Sequence, residues 1–404
     1  MIGHGSPHSI DERRAALVEA IVRRASTPLS PAVLQAFQRV PRHLFVPGVN
    51  LDAVYSDEPI VIRRDKFGMP VSGSVRPSVL AVLLSAADIQ PGHNVLEIGT
   101  GSGYNTGLLA ELVGPAGRVT TLELLPDLAE AAQAHLERAG YPAVTVLAQD
   151  GAEGYAPHAP YDRIVSAVSV WDIPAAWVAQ LKVGGLLVVP LSFGRIQIGA
   201  ALRRLATGAL ESAQLFPPAF LLIQGSAAGP DRQTRVPGSS LVVDFGESPG
   251  LDEAVIQALL STGHEIAQLP LELEQYNLGL FSYYMLLRQP PGYAFITYHV
   301  EEGQLAYGLE LFGWGIMSPT SACLVPYGDM RVVHTYGSSD AYLILSDLAH
   351  EWEAAGRPDF DDFRLYITPA GQRHYLPPER DALTRVFVRP AHTYTLWVQP
   401  RPRA

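Results

Sequence analysis

A single cysteine, Cys323, stands among 404 residues. It has no partner for an intramolecular disulfide, and a cysteine-rich zinc site is excluded. Lysine is almost as scarce. Lys66 and Lys182 are the only two, so arginine carries nearly all the positive charge, which we read as a compositional bias and not as a functional signal. Positive charge is itself in deficit, with 29 Lys and Arg against 40 Asp and Glu and a net charge of -11. That balance disfavours a general nucleic-acid surface. No run is long and apolar enough to span a bilayer, and no basic-apolar signal peptide opens the chain. A cytoplasmic protein with no membrane partner is therefore expected. Metal-ligand spacing is absent too, so no metal is expected. What is present is an apolar fraction of 48%, enough for packed cores. The length exceeds what one ordinary core supports, and two domains are expected.

The chain is organised around Val95 to Tyr104, read Val-Leu-Glu-Ile-Gly-Thr-Gly-Ser-Gly-Tyr. An apolar run ends in a carboxylate, breaks into alternating glycines, and continues with Leu108, Leu109 and Leu112 at helical spacing. That order predicts strand, tight turn and helix. Glycines at 99, 101 and 103 let the backbone turn sharply and let a ligand approach without meeting a Cβ. Donors at the following helix N-terminus would face that ligand. A second apolar run ends at Glu123, about 26 residues after Glu97, near the spacing at which an acid reaches the ribose hydroxyls of a βαβ nucleotide site. Further apolar runs at 143–147, 161–167 and 185–190 alternate with helical stretches. Strands apolar enough to be buried on both faces imply a mostly parallel sheet, with ligands bound outside the carboxyl ends of the strands. Glu97, Gly99, Glu123 and Asp150 fall at those ends.

These residues resemble class I S-adenosylmethionine-dependent methyltransferases and, more narrowly, the protein L-isoaspartate O-methyltransferase family. Arg39 to Pro47, Tyr55 to Pro59, Val95 to Tyr104, Ala159 to Asp162 and Leu181 to Pro190 keep that family's order and spacing over about residues 15 to 205. The resemblance implies a Rossmann-like sheet preceded by N-terminal helices and S-adenosylmethionine as cofactor. It implies a cofactor site made of Glu97, Gly99, Thr100, Gly101, Gly103, Tyr104, Glu123, Leu124, Asp150 and Gly151, with Glu123 on the ribose and the Asp150 loop at the adenine. Two helices are expected before it, Ile10 to Arg24 and one that Ser30 caps and Pro31 begins.

The acceptor segment departs from the family pattern of Thr-x-Ser-Gln/Ala-Pro. Here it reads Val71-Ser72-Gly73-Ser74-Val75-Arg76-Pro77. Registering on Pro77 puts Val75 where the family has serine and Gly73 where it has threonine. Valine donates no hydrogen bond to a substrate carboxylate. Ser72 or Ser74 can substitute if the loop bulges by a residue, and Arg76 can pair with a carboxylate bidentately. The other reading is that these residues satisfy loop backbone and cap the next helix. After the fourth strand, Ser169, Trp171 and Asp172 are candidates to line the substrate cleft.

The methyltransferase-like domain is expected over residues 1–220, closing on a hairpin of 201–205 with 212–216. A linker is expected over 221–240 and a smaller mixed α/β domain over 241–404. A fragment ending near Gly225 is accordingly expected to fold. Strands are expected at 240–244, 293–300, 305–311, 322–326, 330–334, 363–368 and 393–398, and helices at 251–262 and 338–355. His334, His350 and His374 read as surface or satisfied histidines. Tyr276, Phe281, Tyr283 and Tyr284 read as core. Extended relatives found beside ribosomally made, modified peptides carry a second domain of this size and methylate an aspartate side chain, the ester then closing to an aspartimide. The resemblance therefore implies O-methylation of an aspartate or isoaspartate carboxyl, with a protein or a ribosomally made peptide as partner. Methylation of N, C or another O of a peptide or small metabolite is one rival. A non-catalytic S-adenosylmethionine-binding protein is the other.

Overall fold

The structure, a computed structural model, describes residues 9–65, 70–194, 196–231, 233–271, 275–377 and 383–399. It opens with helices α1 (Ile10–Arg24), α2 (Pro31–Arg39) and α3 (Leu51–Val54). A capping box starts α1: Ser9 Oγ accepts from the Glu12 amide, and the Glu12 carboxylate accepts from the Ser9 amide. Ser30 occupies the cap position of α2 as expected, yet its side chain makes no capping bond. Strands β1 (Ile60–Arg64) and β2 (Pro70–Ser74) form an antiparallel hairpin that pairs Ile60 with Ser74 and Val61 with Gly73. The acceptor segment is thus mostly strand, not loop.

The βα rhythm follows: α4 (Pro77–Ala86), β3 (Asn94–Ile98), α5 (Tyr104–Val113), β4 (Arg118–Glu123), α6 (Pro126–Arg138), β5 (Thr145–Ala148), β6 (Tyr161–Ser166), α7 (Ala175–Gln180), β7 (Leu181–Phe193), β8 (Ile196–Arg204) and β9 (Leu210–Phe216). Past it come β10 (Gln233–Arg235), β11 (Val242–Asp244), α8 (Glu253–Leu260), β12 (His264–Gln268), α9 (Gln275–Arg288), β13 (Ala294–His299), β14 (Phe312–Met317), β15 (Ser321–Pro326), β16 (Val332–Gly337), α10 (Asp340–Ala354), β17 (Phe363–Pro369), β18 (Thr384–Val388) and β19 (His392–Val398). The strand expected at 305–311 is a turn bridged by Ala306 and Leu309, and β14 begins just after it.

Among the described residues, the first sheet has ten strands in the order β5-β4-β3-β6-β7-β8-β9-β17-β19-β18. β5 to β7 run parallel and every later neighbour is antiparallel. The expected closure at 216 does not occur. β17 pairs with β9, Tyr366 opposite Glu211 and Ile367 opposite Leu210, so the last strands of the chain extend the first sheet. Alternate residues of the strands feed opposite faces. Val95 and Val165 pack with α1, α2, α4 and α5. Leu96, Ile98 and Ile164 belong to a core shared with Phe281, Trp314 and Trp352 of the second unit. The second sheet is antiparallel, β10-β11-β13-β14-β15-β16-β12. Its Trp314, Ile316 and Val325 face that shared core, while Ile296, Met317 and Leu324 face a core with α8. Hydrophobic packing is therefore continuous between the two units. Cys323 lies fully buried in it, and burial pushes its thiol up to about 12. Phe281, Tyr283 and Tyr284 are core, as expected, and the side chain of Tyr276 lies outside the described residues. His334 is buried against His264, with Nδ1 2.9 Å from Nε2, and His350 and His374 are exposed.

Candidate active site

A cavity of about 1170 Å³ lies where the carboxyl ends of β3, β4 and β6 meet β2 and the second unit. The glycine turn forms its floor. Gly101 has φ +54, and a Cβ there would come within 3.4 Å of the Gly73 carbonyl, so the turn and β2 approach each other across bare backbone. Thr100, also on the wall, bonds Thr121 hydroxyl to hydroxyl at 2.7 Å. Glu123 is 8% exposed and faces the cavity. Its Oε2 accepts from the Gly101 amide (2.9 Å) and its Oε1 from the Leu125 amide (3.1 Å). A carboxylate has about four acceptor sites, so two remain for a diol. Gly99, Leu124, Gly151 and Tyr104 complete this end. Tyr104 packs edge-on against Phe37 and Phe45, with the Arg42 guanidinium 5.6 Å from its ring. Its hydroxyl is buried without a partner, and burial drives its pKa well up.

Three residues expected at the cofactor stand behind the wall instead. Glu97 is fully buried, its carboxylate accepting from Asn105 Nδ2 (2.7 Å), Thr106 Oγ1 (2.5 Å) and Thr121 Oγ1 (2.7 Å). It anchors the start of α5 to β4 from below. Burial outweighs those three donors and raises its pKa to about 7. Gly103, at φ +86, starts α5 and backs onto Ala132, where a Cβ would sit 3.4 Å from its neighbour. Asp150 accepts from the Ala152 amide (2.9 Å) and the Ser226 amide (2.7 Å), which ties its loop to the segment after β9. Burial works to raise the Asp150 pKa, but those amides hold it below the usual carboxylate range.

On the acceptor side, Ser72, Ser74, Val75 and Arg76 all line the cavity. Buried Arg42 organises this end. It donates to the carbonyls of Val54 (2.8 Å), Ser56 (3.0 Å) and Glu58 (3.2 Å), and more distantly to Ser74 Oγ (3.4 Å). Arg76 is not a free cation. Its Nη2 pairs with Glu58 Oε2 at 2.9 Å, and Glu58 Oε1 also takes Arg24 at 3.1 Å. Both pairs are partly exposed and therefore weak.

Ser169, Trp171 and Asp172 are not in the cleft. The Ser169 backbone pairs with the strand-like segment at Leu221 and Ile223, and its hydroxyl is buried without a partner. Trp171 donates from Nε1 to Glu247 at 2.9 Å and lies under the Arg389 guanidinium. Asp172 accepts from the Ala391 amide (2.7 Å) and the Tyr394 hydroxyl (2.8 Å), with His392 Nδ1 3.4 Å away. Burial opposes its ionisation, but these donors prevail and keep its pKa low. The apolar and polar residues after β6 thus serve to dock the last strands. Sequence reading missed the true remaining wall: Arg24, the segment Pro217 to Gln224, and Glu247 and Gln289 of the second unit. Only the proline pair at 217–218 carried any local signal, and it marked a turn and not a site.

A parallel sheet with a glycine turn after its first strand and an acid at the end of the second is a nucleoside-binding arrangement, the one that class I S-adenosylmethionine-dependent methyltransferases use. The cavity fits that cofactor: a turn that a Cβ would crowd, a fixed carboxylate with spare acceptor sites, and ample volume. The family model for protein-L-isoaspartate(D-aspartate) O-methyltransferase matches residues 12–226, and the chain belongs to that family of S-adenosylmethionine-dependent enzymes. It is 45% identical over 159 residues to a protein-L-isoaspartate O-methyltransferase of Ignicoccus hospitalis, covering 39% of this chain and 72% of the relative. It is 39% identical over 222 residues to one of Hyperthermus butylicus, covering 53% and 89%. A solved structure of a protein-L-isoaspartate O-methyltransferase superposes with a TM-score of 0.51 at 22% identity, over 87% of this chain and 96% of that one. At that identity the likeness concerns the fold alone, and it extends into the second unit.

Proposed function

We propose that the chain methylates an aspartate or isoaspartate carboxyl of a protein or a ribosomally made peptide, and that the ester can close to an aspartimide. One observation carries the reading. A single cavity joins the cofactor end, at Glu123 and the glycine turn, to the β2 end with Ser72, Ser74 and Arg76, and the second unit walls its far side. S-adenosylmethionine supplies a methyl group already activated on a sulfonium. Glu123 would hold its ribose, and the Gly99–Gly101 turn would receive the rest. The protein's remaining task is alignment of the acceptor with that methyl. A carboxylate is ionised at neutral pH, its ordinary pKa being about 4, so it needs no base. Ser72 and Ser74, which line the cavity, would orient it with their hydroxyls, and Arg76 would exchange Glu58 for the acceptor. Residues 241–362 would grip the peptide, and residues 363–399 would complete the first sheet.

Val75 on the wall favours a second reading, transfer to N, C or another O of a peptide or small metabolite. Labelled donor and a panel of isoaspartyl and cyclised aspartyl peptides separate the two. Mass spectrometry should show one added methyl that hydroxylamine removes. A hydroxylamine-resistant methyl would overturn the carboxyl reading.

A further inference from the structure

We infer that Glu247 is a specificity-determining residue: its cavity-facing carboxylate oxygen takes an arginine or lysine side chain from a residue flanking the methylated carboxyl. The inference deepens the proposed acceptor reading and rests on it.

Glu247 follows β11 and lies outside the part of the chain that the family model matches. Its Oε1 is fully committed, accepting from Trp171 Nε1 (2.9 Å), Arg389 Nη2 (3.0 Å) and the Gly194 amide (3.3 Å). Three donors from three separate segments fix the carboxylate's position. Oε2 has none of them, the side chain is 15% exposed, and the residue lines the cavity. Gln289 repeats the pattern. Its Nε2 donates to Ser248 Oγ (2.8 Å) and to the Tyr293 carbonyl (2.7 Å), and a carbonyl can only accept, so the amide orientation is set. Its Oε1 is left for the cavity it lines. The second unit therefore presents two immobilised acceptors.

Charge points the same way. Among the described residues, this wall carries the carboxylate of Glu247, and no lysine, arginine or histidine of the second unit lines it. Arg389 offsets part of the charge of Glu247 from behind. It is enclosed by Trp171, Phe193 and Tyr394 and donates to the Ser192 carbonyl, so it does not reach the cavity. Among the described residues, the cations that line the cavity are Arg24 and Arg76, and both pair with Glu58 next to β2. An acceptor with its carboxyl toward Arg76 and a cation toward Glu247 matches this polarity. An acidic flanking residue opposes it, in a partly enclosed space where such terms are strengthened.

The test is fluorescence anisotropy with labelled isoaspartyl hexapeptides, S-adenosylhomocysteine present, and arginine, norleucine or glutamate beside the isoaspartate. Arginine should bind about tenfold tighter than norleucine, the ratio expected of one hydrogen bond to a charged group, and glutamate should bind more weakly than either. Glu247→Gln keeps the shape and the Oε1 acceptor, and should shrink the arginine-to-norleucine ratio to about twofold. Equal binding of all three peptides, no binding of any, or an undiminished ratio in Glu247→Gln would overturn the inference. The wild-type series needs no variant to fold. Binding is read without methyl transfer, so an intact arginine preference with no hydroxylamine-labile ester would count against the carboxyl acceptor and still support Glu247.

Discussion

At the scale of single residues, two glutamates at adjacent strand ends have been given opposite tasks by their surroundings. Glu123 faces the cavity with two acceptor sites spare. Glu123→Ala should weaken S-adenosylmethionine binding by about 1.5–3 kcal/mol, the range for lost charge-assisted hydrogen bonds, and calorimetry reads this directly. Unchanged affinity would remove it from the ribose. Glu97 sits one layer below, and its raised pKa has a consequence for stability. A carboxyl whose folded pKa lies near 7 and whose ordinary value is 4.5 binds its proton more tightly in the fold than in the unfolded chain. Its contribution is complete below about 4.5 and is lost as pH rises through about 7, a change of roughly 3 kcal/mol at about 1.4 kcal/mol per unit. Melting curves of wild type and Glu97→Gln between those pH values should diverge: the wild type loses stability relative to the variant as pH rises. Parallel curves would mean that Glu97 is ionised throughout. The sequence named both carboxylates correctly as strand-end acids. It had no means of separating them, because which one points outward depends on Asn105, Thr106 and Thr121 closing over Glu97.

At the scale of elements, local periodicity made most of the parallel strands and helices legible. β3, β4, β6 and α1 fall where apolar spacing puts them. The hairpin β1–β2 was not legible, because Ser-Gly-Ser gives little strand signal and its partner is what makes it a strand. Nor was the role of Trp171 and Asp172. Their partners, Glu247, Arg389, Ala391 and Tyr394, lie 76 to 222 residues away in sequence, a distance that no local pattern encodes. Asp172→Ala would leave the Ala391 amide and the Tyr394 hydroxyl without their acceptor in a buried setting. It should cost at least ~1.5–3 kcal/mol, the range for one hydrogen bond to a charged group. Hydrogen exchange of β19 should accelerate, and cofactor affinity should hold. Loss of turnover with unchanged stability would return Asp172 to the cleft.

At the scale of the whole molecule, the two units share one hydrophobic core and one sheet. A fragment ending near Gly225 would bare the edge of β9 and the apolar surface that Phe281, Trp314 and Trp352 cover. Such an edge is a template for association. Size-exclusion chromatography should show aggregates, and a monodisperse fragment that binds S-adenosylmethionine would refute this. The same pairing bears on biosynthesis. β9 ends at Phe216 and its neighbour β17 begins only at Phe363. At ribosomal rates of about 5–20 residues per second, the nascent methyltransferase sheet waits roughly 7–30 s with one side unzipped. During that interval holdase chaperones compete with neighbouring nascent chains for the open strand, and yield in a cell depends on which of them arrives first.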